Sequence, residues 1–492
     1  MNLEVQLSKI ADRLRGKMNS DEYKSYILGF IFYKYLSENY KNFLSEFGED
    51  LTPEELKGVQ DMALNELGYY LEDFETCEGL LEKGRQENIL EDLQNVFQAI
   101  EARTVGTKSQ EDFEGLFDDI DLTSSKLGEN PTERNAVVVD ILTHLHEINY
   151  NLEDKDKDIL GDAYEYLISN FAASAGKRGG EFYTPQAVSK LLARIVSLGK
   201  KDMASVYDPT CGSGSLLLQV KNYSNVRDLY GQELNPTTYN LSRMNMLMHK
   251  IPFSDFDIKK GNTLENPKHI GKKFEGIIAN PPYSAHWNPT AMAQDERFSG
   301  IGKMAPKTKA DFAFVQHMLA HLAENGTMAV VLPHGVLFRG SGELAIRKWL
   351  IDSKNSLDAV IGLPANIFYG TSIPTVVLVF KKCRKEDEGI LFIDASAGFS
   401  KEKNQNVLEV AHVDRIVDCY ASRSENDKFS RVVPISEIRE NDFNLNIPRY
   451  IDTFEEEEAI DLSDVFREIA EVEEEGRVID RELSGFYSEL GV

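Results

Sequence analysis

From Leu3 to about Asn149, apolar and aromatic residues recur three and four apart, as at Tyr23, Ile27, Phe30, Ile31 and Tyr35, the spacing that lines one face of a helix. Breaks near Gly48 and Gly106 and the Asn130-Pro131 turn punctuate the pattern, which predicts an all-helical segment with short loops. A helix is expected again over Ala163 to Ala172, followed by Gly176-Lys177-Arg178-Gly179-Gly180, a stretch that should be mobile because glycine loses the most entropy when fixed. Beyond it the period changes. Short β-branched or apolar runs at Ser205–Tyr207, Val226–Tyr230, Glu275–Ala279, Thr327–Leu332, Leu357–Leu363 and Thr375–Phe380 alternate with helical stretches. Such alternation predicts a doubly wound, largely parallel α/β sheet that binds ligands beyond the carboxyl ends of its strands. Towards the end, Leu462, Val465, Ile469, Val472, Ile479, Leu483, Phe486 and Leu490 follow a 3-4 alternation, with Gly476 in the one slot lacking a side chain. That is the seam of a coiled-coil-like helix. The expected organisation is an all-helical domain over 1–155, an α/β domain over 156–450 and an acidic helix over 451–492.

A length of 492 residues favours two or three cores over one, and 42% hydrophobic with 27% charged residues is a globular composition. Met1 to Lys17 mixes Glu4, Lys9, Asp12, Arg13 and Arg15 among its apolar residues, unlike the uninterrupted apolar core of a signal peptide. The most membrane-like run, Thr327 to Phe338, is broken by Pro333 and His334, short of the roughly 18 apolar residues a span requires. A cytoplasmic location is therefore expected. The cysteines, Cys77, Cys211, Cys383 and Cys419, are scattered without a CxxC pair, which fits reduced thiols rather than disulfides or structural zinc. His317 and His321 stand four apart on an expected helix with no carboxylate between them, so no metal is expected. The formal net charge is −27. A chain that gripped DNA alone would need a basic surface. An acidic assembly protein or DNA mimic would suit the charge instead.

The candidate chemistry argues against that second reading. The first strand of the α/β region runs into Asp208-Pro209-Thr210-Cys211-Gly212-Ser213-Gly214-Ser215 and then the apolar Leu216-Leu217-Leu218. Glycines at a strand-to-helix turn let a ligand approach the backbone, and the helix start offers unpaired N–H groups. The next strand ends at Glu233, 25 positions after Asp208, close to the spacing that places a carboxylate on a ribose. With no basic phosphate partner nearby, this suits a nucleoside cofactor. A later strand delivers Asn280-Pro281-Pro282-Tyr283, a loop made rigid by consecutive prolines. The Asn280 side-chain carbonyl and the Pro281 main-chain carbonyl are acceptors, and Tyr283 is a flat stacking face, a set suited to a planar ring carrying an NH₂ group. Two acceptors on the amino hydrogens free the nitrogen lone pair to attack a methyl sulfonium, a charge-and-position effect.

Asp208 to Gly214 resembles motif I of the S-adenosylmethionine-dependent methyltransferases, and Asn280 to Tyr283 resembles the NPPY motif of those that methylate exocyclic amino groups. Gly180-Glu181-Phe182-Tyr183-Thr184-Pro185-Gln186 is similar to motif X, placed before motif I as in the gamma order of adenine methyltransferases. Lys309 to Phe314, Leu337 to Gly340 and Leu363 to Thr371 look like stretches of the modification (HsdM) subunits of type I restriction enzymes, as does the helical amino-terminal region. The resemblance covers nearly the whole chain. It implies a Rossmann-like methyltransferase domain and an adenine-specific, site-specific DNA-methyltransferase. It also implies that Glu181, Phe182, Tyr183, Thr184, Pro185, Gln186, Asp208, Gly212, Ser213, Gly214, Ser215 and Glu233 serve S-adenosyl-L-methionine. Asn262, where an Asp is commoner, would meet the cofactor adenine. Asn280, Pro281, Pro282 and Tyr283 would hold a flipped target adenine, with Phe368 stacking on its far face. The implied partners are DNA, a specificity subunit and a restriction subunit, with two modification subunits per specificity subunit. An NPPY enzyme acting on RNA or on a protein glutamine amide is the competing reading. No segment between the motifs is long enough for a recognition domain, so the DNA target is expected to be read by the separate subunit.

Overall fold

The computed structural model describes residues 6–7, 10, 20–48, 50–84, 88–148, 150, 159–175, 184–368, 371–385, 388–403, 405–452 and 462–490. The glycine-rich stretch 176–180 and the motif residues Glu181, Phe182 and Tyr183 lie outside the described residues. Met1–Ile451 forms one compact unit and Asp452–Val492 a second.

The amino-terminal helices are α1 (Ser20–Ser45), α2 (Pro53–Glu66), α3 (Cys77–Gly84), α4 (Ile89–Thr104), α5 (Pro131–His146) and α6 (Ile159–Ala175). The α1 stripe behaves as its spacing predicts: Tyr23, Ile27, Phe30, Ile31 and Tyr35 are all buried. Helix α2 starts in a capping box, in which Thr52 Oγ1 accepts the Glu55 N–H at 3.3 Å and Glu55 Oε2 accepts the Thr52 N–H at 2.8 Å, with Pro53 in its first turn. Asn130-Pro131, expected as a break, is the start of α5, where Asn130 Oδ1 accepts the Glu133 N–H at 3.0 Å.

In chain order the second half of this unit holds α7 (Gln186–Ser197), β1 (Asp202–Asp208), α8 (Ser215–Lys221), β2 (Asn225–Glu233), α9 (Pro236–Met248), β3 (Phe256–Lys260), β4 (Phe274–Ala279) and α10 (Asp311–His321). There follow β5 (Leu322–Pro333), α11 (Ser341–Lys348), β6 (Leu357–Gly362), β7 (Thr375–Lys381), β8 (Ile390–Asp394), β9 (Ser400–Lys401), β10 (Asn406–Val407), α12 (Val410–Ser422), β11 (Ser430–Val433) and α13 (Ile435–Glu440). Nine strands form one sheet in the order β11-β8-β6-β7-β5-β4-β1-β2-β3, and β9 with β10 forms a small antiparallel pair. The large sheet is parallel except at β7 and β11. All six expected strands are present. The sheet extends beyond them through β8 and β11 on one side and β3 on the other. Helix α7 lies against the sheet, contributing Leu191, Leu192 and Val196 to the core.

The helical segment packs directly onto the α/β part. Arg243 of α9 is 1% exposed, and its guanidinium donates to the carbonyls of Glu111 and Glu114 at 2.8 and 2.9 Å and stacks on Tyr239. The Tyr35 hydroxyl donates to the Leu247 carbonyl at 2.8 Å. These acceptors and Asn240 Oδ1 hold both terminal nitrogens of a buried guanidinium at the seam, and withdrawing them would leave its charge buried and unpaired. The second unit contains α14 (Leu462–Leu490), as the heptad pattern predicts. Among the described residues, no helix is long and apolar enough to cross a membrane.

Candidate active site

Four adjacent parallel strands, β4, β1, β2 and β3, end on one edge of the sheet and deliver the motif residues there. Register fixes their levels: Asp208 stands opposite Gly231, Glu233 opposite Lys260, and Tyr207 opposite Ile277, which places Asn280 just beyond Asp208. The turn after β1 needs glycine at two places. Gly212 and Gly214 have φ of +55° and +81°, and a Cβ on Gly214 would come within 2.6 Å of Met246. Gly214 caps α8, whose first residue is Ser215.

A cavity of about 580 Å³ opens over these ends, lined by Asp208, Gly212, Ser213, Ser215, Glu233 and Asn262. Thr184, Asn280 and Pro282 line it too. Pro185 and Gln186 instead start α7, and Gly214, Pro281, Tyr283 and Phe368 lie outside the lining. The Glu233 carboxylate accepts the Gly212 N–H at 3.0 Å and the Asn235 N–H at 2.8 Å, one on each oxygen, so it is oriented before any ligand arrives. Asp208 is buried, with Oδ1 accepting the Thr210 N–H at 2.9 Å. Burial, reinforced by the Glu233 charge, pushes its carboxyl up to about 8. Asn262 Oδ1 accepts the N–H groups of Leu264 and Glu265 at 3.0 and 3.3 Å, a local turn that fixes the side chain at the cavity wall. Two carboxyl groups, with Lys24 as the one lining cation among the described residues, fit a nucleoside with a cationic end better than a phosphorylated nucleotide.

At the end of β4 the Asn280 amide is held at both ends. Its Nδ2 donates to Thr184 Oγ1 at 3.1 Å and its Oδ1 accepts from the Tyr283 hydroxyl at 2.8 Å. This joins the Asn280 loop to the described end of the motif X stretch. The Tyr283 ring meets Phe368 edge to face, with centroids 6.1 Å apart and planes at 80°. Phe368 is buried in that arrangement; to lie flat on a base it would have to turn.

Several residues around the site carry no sequence signal. Glu165 of α6 accepts from Ser215 Oγ at 2.7 Å and from Asn245 Nδ2, while Asn245 also donates to the Ser213 carbonyl at 2.9 Å. Leu28 of α1 and Phe171 of α6 form part of the cavity wall, so the helical segment helps build the site. His317 is a core residue, its ring shared between the Tyr207 hydroxyl at 3.0 Å and the Arg297 guanidinium at 2.7 Å. Its burial, with Arg297 adjacent, lowers its basicity well below the usual histidine range.

Residues 155–459 match the family model described as N-6 DNA Methylase, and residues 3–145 match the HsdM N-terminal domain. The chain belongs to the modification subunits of type I restriction-modification systems. The type I restriction enzyme MpnII methylase subunit of Mycoplasma pneumoniae is 38% identical over 525 residues, covering 100% of this chain and 96% of that one. The crystal structure of a type I restriction-modification methyltransferase subunit from Streptococcus thermophilus superimposes with a TM-score of 0.85 at 44% identity, covering 92% of this chain and 99% of that chain. A structure described as showing complex assembly and conformational transition of the type I system shares the fold, with a TM-score of 0.65 at 19% identity over 99% of this chain and 98% of that one. This modification subunit is thus an adenine-specific DNA methyltransferase of the N6 class, and the competing RNA or glutamine reading is not favoured. Fold and family imply use of S-adenosylmethionine, and the family implies partner subunits.

Proposed function

We propose that the modification subunit methylates a flipped adenine at the edge where Asp208, Glu233, Asn262 and Asn280 converge, within a complex of two such chains, one specificity subunit and a restriction subunit on DNA. In this reading residues 1–155 serve as a helical domain, 156–450 as the catalytic domain and 451–492 as a docking helix, and the assembly works in the cytoplasm, on the cell's DNA. The observation that carries it is the convergence of four strand ends on one cavity.

S-adenosylmethionine, when bound, supplies a methyl group on an electron-poor sulfonium. Glu233, already oriented by two backbone N–H groups, would accept the ribose hydroxyls. Asp208 holds the cationic amino-acid end, and Asn262 the adenine ring. Thr184, at the described end of the motif X stretch, lines the cofactor cavity. Asn280 Oδ1 and the Pro281 carbonyl accept the two amino hydrogens of the target adenine, and Tyr283 stacks on its face. With its two amino hydrogens held by these acceptors, the N6 lone pair would be free to accept the methyl group, and the surplus N6 proton would pass to water. Thr184 and the Tyr283 hydroxyl fix which end of the Asn280 amide is the acceptor.

Glu233→Gln should weaken S-adenosylmethionine binding by about 1.5 to 3 kcal/mol, the range of a charge-assisted hydrogen bond. A Gln amide also cannot accept on both ends, so the Gly212 or Asn235 N–H would lose its partner. Calorimetry giving wild-type affinity would move the ribose contact elsewhere.

The buried Asp208 gives a pH dependence of known sign. In the free chain its carboxyl is held protonated up to about 8, whereas a bound ammonium favours the carboxylate. Binding therefore releases a proton below that pH, and affinity should rise with pH towards 8, by at most about tenfold per unit. Titration calorimetry between pH 6 and about 8 checks this. Affinity that stays flat across this range, or a slope that persists in Asp208→Asn, would remove Asp208 from the cofactor contact.

A further inference from the structure

Two large apolar side chains stand in water beside the proposed base site. Phe338 is 48% exposed and Ile373 is 49% exposed. Phe338 follows the short turn His334–Leu337 at the carboxyl end of β5, the strand next to β4. Ile373 lies just before β7, whose first residue, Thr375, is opposite Pro333. Both therefore lie on the edge that carries Asn280. The His334 N–H donates to the Pro374 carbonyl at 3.0 Å, and its ring meets the Phe338 ring edge to face at 5.8 Å.

The Phe338 loop is tied to the catalytic loop through one carboxylate. Asp311 is fully buried; its Oδ1 accepts the N–H of Ser284 at 2.9 Å, and its Oδ2 pairs with Arg339 at 3.2 Å. Ser284 follows Tyr283 directly and has a φ of +53°, and Arg339 follows Phe338 directly. Glu343 adds a second partner to Arg339 at 3.2 Å. Arg339 lies over Gly335, where a Cβ would approach its guanidinium to 2.5 Å. The Arg339 charge is thus engaged internally. What the loop offers outward is an apolar ring, held at a fixed place relative to Asn280.

We propose that Phe338 is a wedge that enters the double-stranded DNA stack where the target adenine leaves, with Ile373 flanking it. This rests on the reading that the Asn280 loop receives an extruded adenine. Extrusion costs unstacking and unpairing, and an inserted apolar side chain offsets part of that cost by filling the gap. A scattered exposed phenylalanine would need no explanation. One braced by the same carboxylate that fixes the catalytic turn does.

The test uses the full chain assembled with its DNA-recognising partner, and two duplexes: one with the target adenine paired to thymine, the other with an abasic site opposite it. Phe338→Ala should lower kcat/KM on the paired duplex by about tenfold or more, and restore it to within about threefold of wild type on the abasic duplex, where less pairing must be broken. The fluorescence rise of 2-aminopurine at the target position should shrink on the paired duplex only. Equal activity of variant and wild type on the paired duplex overturns the wedge. So does an equal loss on both duplexes, which would mean a distorted site, and so does failure of the variant to assemble, which would make Phe338 a protein contact. Inactivity of the wild type on both duplexes would overturn the base-site reading itself.

Discussion

Asn280→Ala should reduce methyl transfer by about 10²-fold or more, the typical loss when one preorganised polar group at a reacting centre is removed, and leave S-adenosylmethionine affinity within about twofold of wild type. The side chain is held by Thr184 and Tyr283, at 3.1 and 2.8 Å, rather than by the residues that orient Glu233 or Asp208. Its loss removes an acceptor for the amino group and leaves the carboxylate end of the cavity intact. A tighter contrast comes from Asn280→Asp, which keeps an acceptor but cannot donate to Thr184. Activity there well above that of the alanine variant would isolate the acceptor role. Single-turnover methylation with saturating cofactor is the measurement. Wild-type rates in Asn280→Ala would sink the assignment. A large loss of cofactor affinity would show instead that the Thr184 contact organises the cavity, placing Asn280 among the cofactor residues.

The backbone of the site was legible because parallel α/β architecture converts local motifs into geometry. A turn after one strand and a carboxylate after the next must end on the same edge, whatever lies between them. Asp208, Glu233 and Asn280 are such cases. Long-range supports leave no such trace. Glu165 reaches Ser215 across 50 positions and Asn245 across 80, and in the sequence it is an ordinary polar residue of an amphipathic helix. Asp311 was visible only within a family-like stretch, and its bridging of two loops needs the fold. Asp358 is the opposite case. It sits in the fully buried strand β6, where periodicity predicts only apolar residues, and is tolerated because Arg384, Arg423, Lys381 and the Tyr420 hydroxyl converge on it. Strands β8 and β11 escaped notice because each is short, and their pairing joins segments far apart in the chain. Hydrophobic period alone does not separate such runs from buried turns.

Removing Asp461 to Val492 should abolish co-purification with the specificity subunit while sparing S-adenosylmethionine binding. The region from Ile451 onward carries 15 acidic against 3 basic side chains, a net −12 of the chain's −27. Such a charge alone would suit a solvated tail. The apolar seam does not: Val465, Ile469, Val472, Ile479, Leu483 and Phe486 are 36–68% exposed along one continuous helix, Leu462–Leu490. Within the helix Arg477 pairs with Glu473 and Glu474 and Arg481 with Glu474, and three basic side chains cannot offset fifteen acidic ones over this region. A lone helix with an uncovered stripe is marginal in water and gains most of its stability from burying that stripe. A partner helix with a matching seam and a lysine- or arginine-rich flank would satisfy both features at once. A basic partner would also supply the phosphate-binding charge that this chain lacks. Ile479→Asp, a single change on the seam, should act like the deletion, whereas Glu482→Lys beside it should weaken assembly only at low salt, because exposed charges are screened. Full-stoichiometry assembly by the truncated chain would refute the docking role. If Ile479→Asp instead assembled normally while Glu482→Lys failed, charge rather than the apolar seam would be the recognition element.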